Sequence, residues 1–444
     1  MTQQNYNEDN PVQITGTRGL YHMVWKDIGI ECKVSHMYDG RSDRSIHGYV
    51  KWKTSRPASS GHLQGGDLNF TSVSSRNTFV NRLKEADSTI DWRVCVEQLC
   101  ENIIERYRKG SAVITLDTES VGNVNEESRY LVYPLIEAEC INLFFGHGSH
   151  GKSLLAQLLA CLLSEGVQEH QGLTLERSAP VLYLDYEEHK GALLRRVQSI
   201  RKGMNLSPDS KIMYRPMYQS ISADRERLRD ICLENNMQNG LLIVDSVSKA
   251  VGGEQQEQKA VTDMTEVIRQ LQLDFGLSTL LLAHENKGGE LFGSVFQWNE
   301  ARNVFHIRKD QKEGESELSI GLFHQKSNNG GLLKRPVGYK VSFDEDGTTY
   351  IESQDVRTSA GLEQHMTVSN RIYNTLRNVE GGMTANDIAE QLFRPDGSPY
   401  RESHISKELS NNDSFVNIGN HKWAIRSVRD TQPEGGNQSE WENL

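Results

Sequence analysis

Eight consecutive residues carry the clearest chemistry in this 444-residue chain: Gly146-His147-Gly148-Ser149-His150-Gly151-Lys152-Ser153. The spacing G-x-x-x-x-G-K-[ST] suits a loop that wraps phosphates. Glycines let backbone N–H groups close around the anion, and the N-terminus of a following helix adds partial positive charge. In such a loop Lys152 reaches the β- and γ-phosphates of ATP and the Ser153 hydroxyl ligates Mg²⁺. Leu154 is the first residue past the loop and completes the binding segment. Three further strand ends supply the rest of a hydrolytic site. Leu241 to Asp245 ends in a carboxylate suited to holding Mg²⁺. Val181 to Glu188 offers Asp185, Glu187 and Glu188 as competing general bases, and strand alternation from Tyr183 and Asp185 favours Glu187 at the edge. Thr279 to His284 ends in an imidazole placed to sense a γ-phosphate or a water; an isolated histidine is also often a satisfied interior group.

These groups need a scaffold that delivers strand ends to one edge. From Leu131 onward, near-continuous apolar runs alternate with longer helical stretches, the pattern of a parallel sheet buried on both faces. The clearest strands are 141–145, 181–186, 241–245 and 279–283, with shorter β runs to about Tyr350. The fold class expected is α/β: a RecA-like core with a mainly parallel sheet flanked by helices, over residues 131–352. A small β-rich N-terminal module, residues 1–116, precedes it. There Ile28 to Val34 and His47 to Lys53 alternate in part around an Asp39-Gly40 turn. Trp92, Val96, Leu99, Ile103 and Tyr107 recur at helical spacing over 91–108 and close the module. Residues 117–129 and 353–364 are polar and read as links. Helices over 369–377, 384–392 and 402–409 then precede two short strands, 416–418 and 421–425, in a domain spanning 367–428. The tail 429–444 is polar and reads as disordered.

Composition bounds the rest. Hydrophobic residues make up 36% and charged residues 25%, an ordinary globular balance. No stretch approaches the length of a transmembrane helix, and the polar start lacks a secretory core, so the cytoplasm and no membrane partner are expected. The six cysteines fall in no C-x-x-C pair and read as reduced thiols. With 49 basic and 60 acidic side chains the net charge is −11, so any nucleic acid must be met by a local basic surface.

The order of phosphate loop, strand ending in Glu187, strand ending in Asp245-Ser246 and strand ending in His284, with Lys287 after it, resembles the RecA superfamily. More narrowly, it is similar to the RepA-like branch, which includes hexameric replicative helicases of plasmids. The resemblance covers about residues 131–345; Gly293-Ser294, Arg302 and Lys326 fall where that family carries small and basic residues around the subunit boundary. It implies a ring-type homo-oligomer, usually a hexamer, with ATP between neighbours and a cation reaching the γ-phosphate from the next subunit. Lys287 and Arg302 are the candidates. Phe292 stands where many relatives have arginine. The C-terminal segment resembles a winged helix-turn-helix domain, with 402–409 as the recognition helix offering Arg401, His404 and Lys407. Asn420, His421 and Lys422 would line the wing.

These readings point to an MgATP-hydrolysing motor on DNA, of replication or mobile-element type and with helicase activity as its extreme form. The alternative is an ATP-dependent regulator or assembly scaffold that unwinds nothing, with a protein partner on the N-terminal module or the winged helix. A small-molecule kinase is disfavoured because no acceptor-site signature is present.

Overall fold

The computed structural model describes residues 12–17, 20–40, 45–54, 62–109, 129–207, 211–252, 258–293, 295–377, 379–394 and 397–426. The link over 117–128, Ser294 and the tail beyond residue 426 lie outside them. The chain divides into two compact units, Met1–Val124 and Asn125–Leu444.

The first unit is an antiparallel meander in the order β1 (Val12–Thr17), β2 (Leu20–Trp25), β3 (Ile30–Asp39), β4 (Ile46–Thr54) and β5 (His62–Asn69). Strict alternation along β4 turns Ile46, Val50 and Trp52 inward and His47, Tyr49, Lys51 and Lys53 outward. Two helices, α1 (Val73–Ala86) and α2 (Trp92–Lys109), cover the inner face, so the module closes with one helix more than its sequence suggests. Trp52 sits at the centre, stacked on Trp25 at 5.2 Å and edge-on to Trp92 at 5.5 Å. Both Trp25 and Trp52 are core residues, as their place in the alternation implies.

The second unit opens with a short ribbon, β6 (Tyr130–Val132) and β7 (Ile136–Glu137), and β8 (Ile141–Gly146), followed by α3 (Lys152–Glu165). A second ribbon, β9 (Glu169–His170) and β10 (Leu173–Thr174), leads to β11 (Val181–Asp185) and α4 (Lys190–Gly203). Then come β12 (Ile212–Pro216), α5 (Arg225–Glu234), β13 (Leu241–Asp245), α6 (Val247–Ala250), α7 (Gln258–Phe275) and β14 (Ser278–His284). After α8 (Val295–Glu300) four strands follow: β15 (Asn303–Asp310), β16 (Glu317–Ser327), β17 (Val337–Phe343) and β18 (Thr349–Ser353).

Nine of these strands form one sheet in the order β12-β11-β13-β14-β8-β15-β16-β17-β18. It is parallel from β12 to β15 and antiparallel beyond, so the sheet is mixed. Burial explains the sequence pattern: every residue of β8, β11 and β13 is buried, as continuous apolar runs require. Register fixes the functional edge. Asp185 pairs with Asp245, and His284 with Gly146, at the carboxyl ends of the parallel strands.

Residues 353–364 are not a free link. Val356 and Leu362 are buried against Phe323 and Met366, and α9 (Ala360–Glu363) is tied to β15. The Ser359 hydroxyl and the Gly361 N–H both donate to Asp310, at 2.6 and 3.0 Å. The polar composition hid two apolar anchors. Beyond them α10 (Val368–Leu376), α11 (Ala385–Gln391) and α12 (Glu402–Asn411) surround Ile372, Ile388, Ile405 and Leu409. A three-stranded sheet completes this end, with β21 (Lys422–Ile425) between β19 (Met383–Thr384) and β20 (Phe415–Asn417). Thr384 and Asp387 form a reciprocal capping box that starts α11. Trp423 packs on this core.

Candidate nucleotide site

The phosphate loop leaves β8 at Gly146 and enters α3 at Lys152. Two of its glycines are demanded by packing. A Cβ on Gly146 would lie 2.3 Å from the Ile307 carbonyl oxygen, and one on Gly151, at φ +87°, would lie 2.4 Å from Ile320 Cδ1. Gly148 differs, because no atom lies within 4 Å of its absent Cβ. Packing does not require that glycine; it keeps open the space that the loop encloses. Ser149 also adopts a positive φ, 63°, and the alternation of left- and right-handed residues turns successive N–H groups toward one concavity. Gly151 gives α3 no side-chain cap, so the first N–H groups of the helix face the same concavity.

Lys152 is buried and its Nζ donates to the carbonyls of Gly146 and His147, each at 2.9 Å. Burial pulls its pKa down, opposed by the carboxylates of Asp245, Glu187 and Glu285. His150 Nδ1 donates to the Ile307 carbonyl at 3.1 Å, which fixes its tautomer and joins the loop to β15. His147 is exposed and contacts the neighbouring Gly148 carbonyl. Leu154 points into the core beneath the loop.

Asp245 ends β13 as a buried carboxylate that accepts from Tyr183 Oη at 2.6 Å and from the Ser153 hydroxyl. Burial pushes its pKa up, and the two hydroxyls oppose that. A buried carboxylate beside a hydroxyl at the mouth of a phosphate loop is a hard-oxygen pair suited to Mg²⁺, whose charge offsets the desolvation. The residues fit MgATP: the loop for the phosphates, Ser153 and Asp245 for the metal.

Glu187 lies just past β11. Its Oε1 accepts from Ser246 Oγ at 2.5 Å and from His284 Nε2 at 3.0 Å. The His284 hydrogen bond dominates in holding this carboxyl at about 2, with burial opposing it. The other two acids of the segment have different work. Asp185 accepts from the N–H groups of Glu187 and Glu188, at 2.9 and 3.0 Å, and from Tyr214 Oη at 3.2 Å, so it shapes the turn that presents Glu187. Glu188 pairs with Arg196 of α4 at 2.5 Å on the surface.

One cluster escaped the sequence reading. Glu285, next to His284, accepts from His306 Nε2 at 2.7 Å and Arg308 Nη1 at 3.0 Å. His306 stacks on Phe145 at 4.2 Å, and burial pushes its pKa down to about 4. The signal was the alternation Phe305-His306-Ile307-Arg308, which sets two basic side chains on one face of β15. Beyond Glu285 a tight turn exposes Lys287, with the Asn286 side chain accepting from the N–H groups of Gly288 and Glu290.

Lys152, Ser153, Asp245, Glu187 and His284 therefore meet at one edge, with Lys287 on the loop that leaves it. Arg302 does not join them. Its N–H donates to the Ile141 carbonyl, at the opposite end of β8 from Gly146, which at the rise of a strand is ~16 Å away. The parallel pairing of β15 with β8 starts its chain at the wrong edge for the site of its own subunit. Lys326 lies there too, its Nζ donating to the carbonyls of Trp298, Asn299 and Ala301 at the end of α8. That caps the end of α8 within the subunit.

A family model described as an AAA domain matches residues 108–290, a span that takes in the loop, Glu187, Asp245 and His284 and ends before Arg302. No curated protein matches the chain. The match, with the mixed sheet and its loop, makes this segment similar to an AAA-type P-loop ATPase domain, a kind of unit that binds and hydrolyses nucleotide. No described helix is long and apolar enough to cross a membrane.

Proposed function

We propose that this chain is a RecA/RepA-like ATPase that assembles into a ring, the hexamer its sequence resemblance implies, and couples MgATP hydrolysis to action on DNA in the cytoplasm. The observation that carries the reading is the clasp of Glu187 between Ser246 and His284, at the edge that also holds Gly146 and Lys152. In this reading Lys152, now on the carbonyls of Gly146 and His147, would bind the β- and γ-phosphates, and Ser153 and Asp245 would hold Mg²⁺. The metal supplies charge neutralisation on the phosphate oxygens. Glu187 takes the proton of the attacking water. A carboxylate held at about 2 is a weak base, so loosening of its bonds to Ser246 and His284 is what raises its basicity. His284 thereby links the state of the γ-phosphate to Glu285 and the turn that carries Lys287.

Lys287, exposed on that turn, is the preferred trans-acting cation, and Arg302 the second candidate. The order of α10, α11, α12 and the β19-β21-β20 sheet supports a winged helix, with Arg401, His404 and Lys407 exposed along α12. Asn420 and His421 stand at the tip of the β20–β21 turn with positive φ, as wing residues would. ATP hydrolysis measured with and without single-stranded DNA, alongside the mass in solution, tests this. Strong stimulation in a ring-sized assembly is expected; turnover indifferent to DNA across a range of salt overturns the motor. The second reading, a regulator or scaffold that unwinds nothing, is favoured by Glu402 lying exposed among the cations of α12 and by the −11 charge. Displacement of a strand from a forked duplex counts against it.

A further inference from the structure

Among the described residues, the two helices of the N-terminal unit cover one face of its meander and leave the other to the strands' own side chains. Phe79 of α1 lies against Gly66 and Trp92 of α2 against Trp52, so both helices sit on the inner side. The outer side collects residues of a different kind. Along β4 the outward positions are His47, Tyr49, Lys51 and Lys53, a row of two rings and two cations spanning ~20 Å at the rise of a strand. Register adds neighbours from β3: Lys33 pairs with Lys51, and Tyr38 with His47. The Tyr38 and His47 rings stack at 5.0 Å with 11° between planes, and Tyr38 is 54% exposed. Tyr49 is 38% exposed and lies down across β5, because Gly65 leaves room; a Cβ there would lie 2.9 Å from its hydroxyl.

Aromatic rings usually enter a core when they are this large, and here Tyr49 lies across β5 and Tyr38 stacks on His47, both on the outer side of the sheet. The charges around them are chosen as well. Two acids share the face, Glu31 and Asp67; Glu31 is bonded to His22 at 2.9 Å, while among the described residues no ion pair engages Lys33, Lys51 or Lys53. In a chain of net charge −11 this is a local reversal of sign joined to two exposed tyrosines. Partly exposed rings beside cations that meet phosphates suit unpaired bases on a flexible backbone. A duplex, whose bases are stacked already, gains nothing from the rings.

We infer that the outer face of the N-terminal sheet, the one its two helices leave uncovered, is a binding platform for single-stranded DNA, with bases on Tyr49 and the Tyr38–His47 stack and phosphates on Lys33, Lys51 and Lys53. The choice of DNA over RNA rests on the motor reading above; the platform itself is a second site, remote in sequence from the ATPase segment.

The test is the affinity of the full chain for fluorescent oligothymidylate, without nucleotide, over a series of salt concentrations. Tyr38→Ala with Tyr49→Ala is expected to weaken binding about tenfold or more. Tyr38→Phe with Tyr49→Phe keeps the rings and is expected to stay within about threefold of the parent, since stacking needs only the π-face. Lys51→Ala with Lys53→Ala is expected to flatten the slope of log K against log salt by about 1.4, at about 0.7 per phosphate contact on a single strand. All three keep the DNA-free ATPase rate, which reports an intact second unit, and a cooperative melt. The inference is overturned if the alanine variants bind like the parent, if the phenylalanine pair loses as much as the alanine pair, or if the parent binds no oligothymidylate at low salt. Tighter binding of oligouridylate overturns the assignment to DNA. If the face variants lose binding while ATP turnover ignores DNA, the platform stands and the motor falls.

Discussion

Glu187→Gln isolates the charge of the proposed base from its position. A glutamine keeps the Oε1 acceptor, so both donors to it, Ser246 Oγ at 2.5 Å and His284 Nε2 at 3.0 Å, remain satisfied. Ground-state geometry should survive. The pair with His284 is about a third exposed on each side, at 34% and 36%, so its loss is screened and costs within about 1 kcal/mol of stability. Removal of a general base costs about 10²–10⁴ in rate. Because this carboxyl rests at about 2, its driving force for taking a proton is small, and the lower part of that range is expected, about 10²–10³ or some 3–4 kcal/mol. Single-turnover hydrolysis under saturating ATP gives the chemical step, and a fluorescent ATP analogue gives binding. The expected outcome is affinity within about threefold of the parent and hydrolysis down by at least about a hundredfold. Glu188→Gln, which breaks only a surface pair with Arg196, should leave turnover within about twofold. Retention of a tenth or more of parental hydrolysis by Glu187→Gln, or a larger loss in Glu188→Gln, refutes the assignment.

Lys152→Ala is expected to lower nucleotide affinity and turnover together, since its ammonium serves ground and transition states alike; titration calorimetry set against steady-state rates checks this. Asp245→Asn removes a carboxylate whose pKa burial has raised, so the nucleotide-free protein should melt no lower than the parent, while Mg²⁺-supported hydrolysis falls by about a hundredfold or more. The stability that the Glu187 charge contributes is present above the usual carboxylate value of about 4.5 and disappears as pH falls through about 2. The melting difference between parent and Glu187→Gln should therefore be constant from pH 6 to 8 and shrink below about 4.5. Mixing Arg302→Ala or Lys287→Ala with Glu187→Gln tests sharing between subunits: the cation that acts in trans gives mixtures with more activity than either parent variant, and Lys287 is the one expected to do so.

What the sequence told of this molecule follows burial. β11 and β13 lie in the middle of the sheet with both faces covered, so their apolar runs were continuous and legible almost to the residue. β12, at the edge, has no fully buried residue, and its mixed run Ile212–Pro216 gave no pattern to read. α1 buries only Phe79, Val80 and Leu83 among polar neighbours, and its best signal was Ser72, whose side chain accepts from the Ser75 N–H as a cap. The site divides in the same way. Loop, Asp245 and His284 were marked by residue type at strand ends, and alternation singled out Glu187 from its neighbours. The placement of Arg302 was not legible, because a cation in a sequence has no edge until the register of its strand is known. The Glu285–His306–Arg308 cluster likewise needed two strands brought side by side.

The close approaches of Gly146 to Ile307 and of Gly151 to Ile320 bear on how this protein can be cut. Ile307 belongs to β15 and Ile320 to β16, both beyond the matched span 108–290. A fragment ending at residue 290 would lose the two walls against which its phosphate loop is moulded, and would leave the buried Leu143 and Phe144 of β8 without β15 beside them. The smallest piece that retains the loop's shape runs on through α9, whose tie to Asp310 secures the end of β15. Expression of residues 129–366 should give a folded nucleotide binder where a fragment trimmed to the family boundary aggregates.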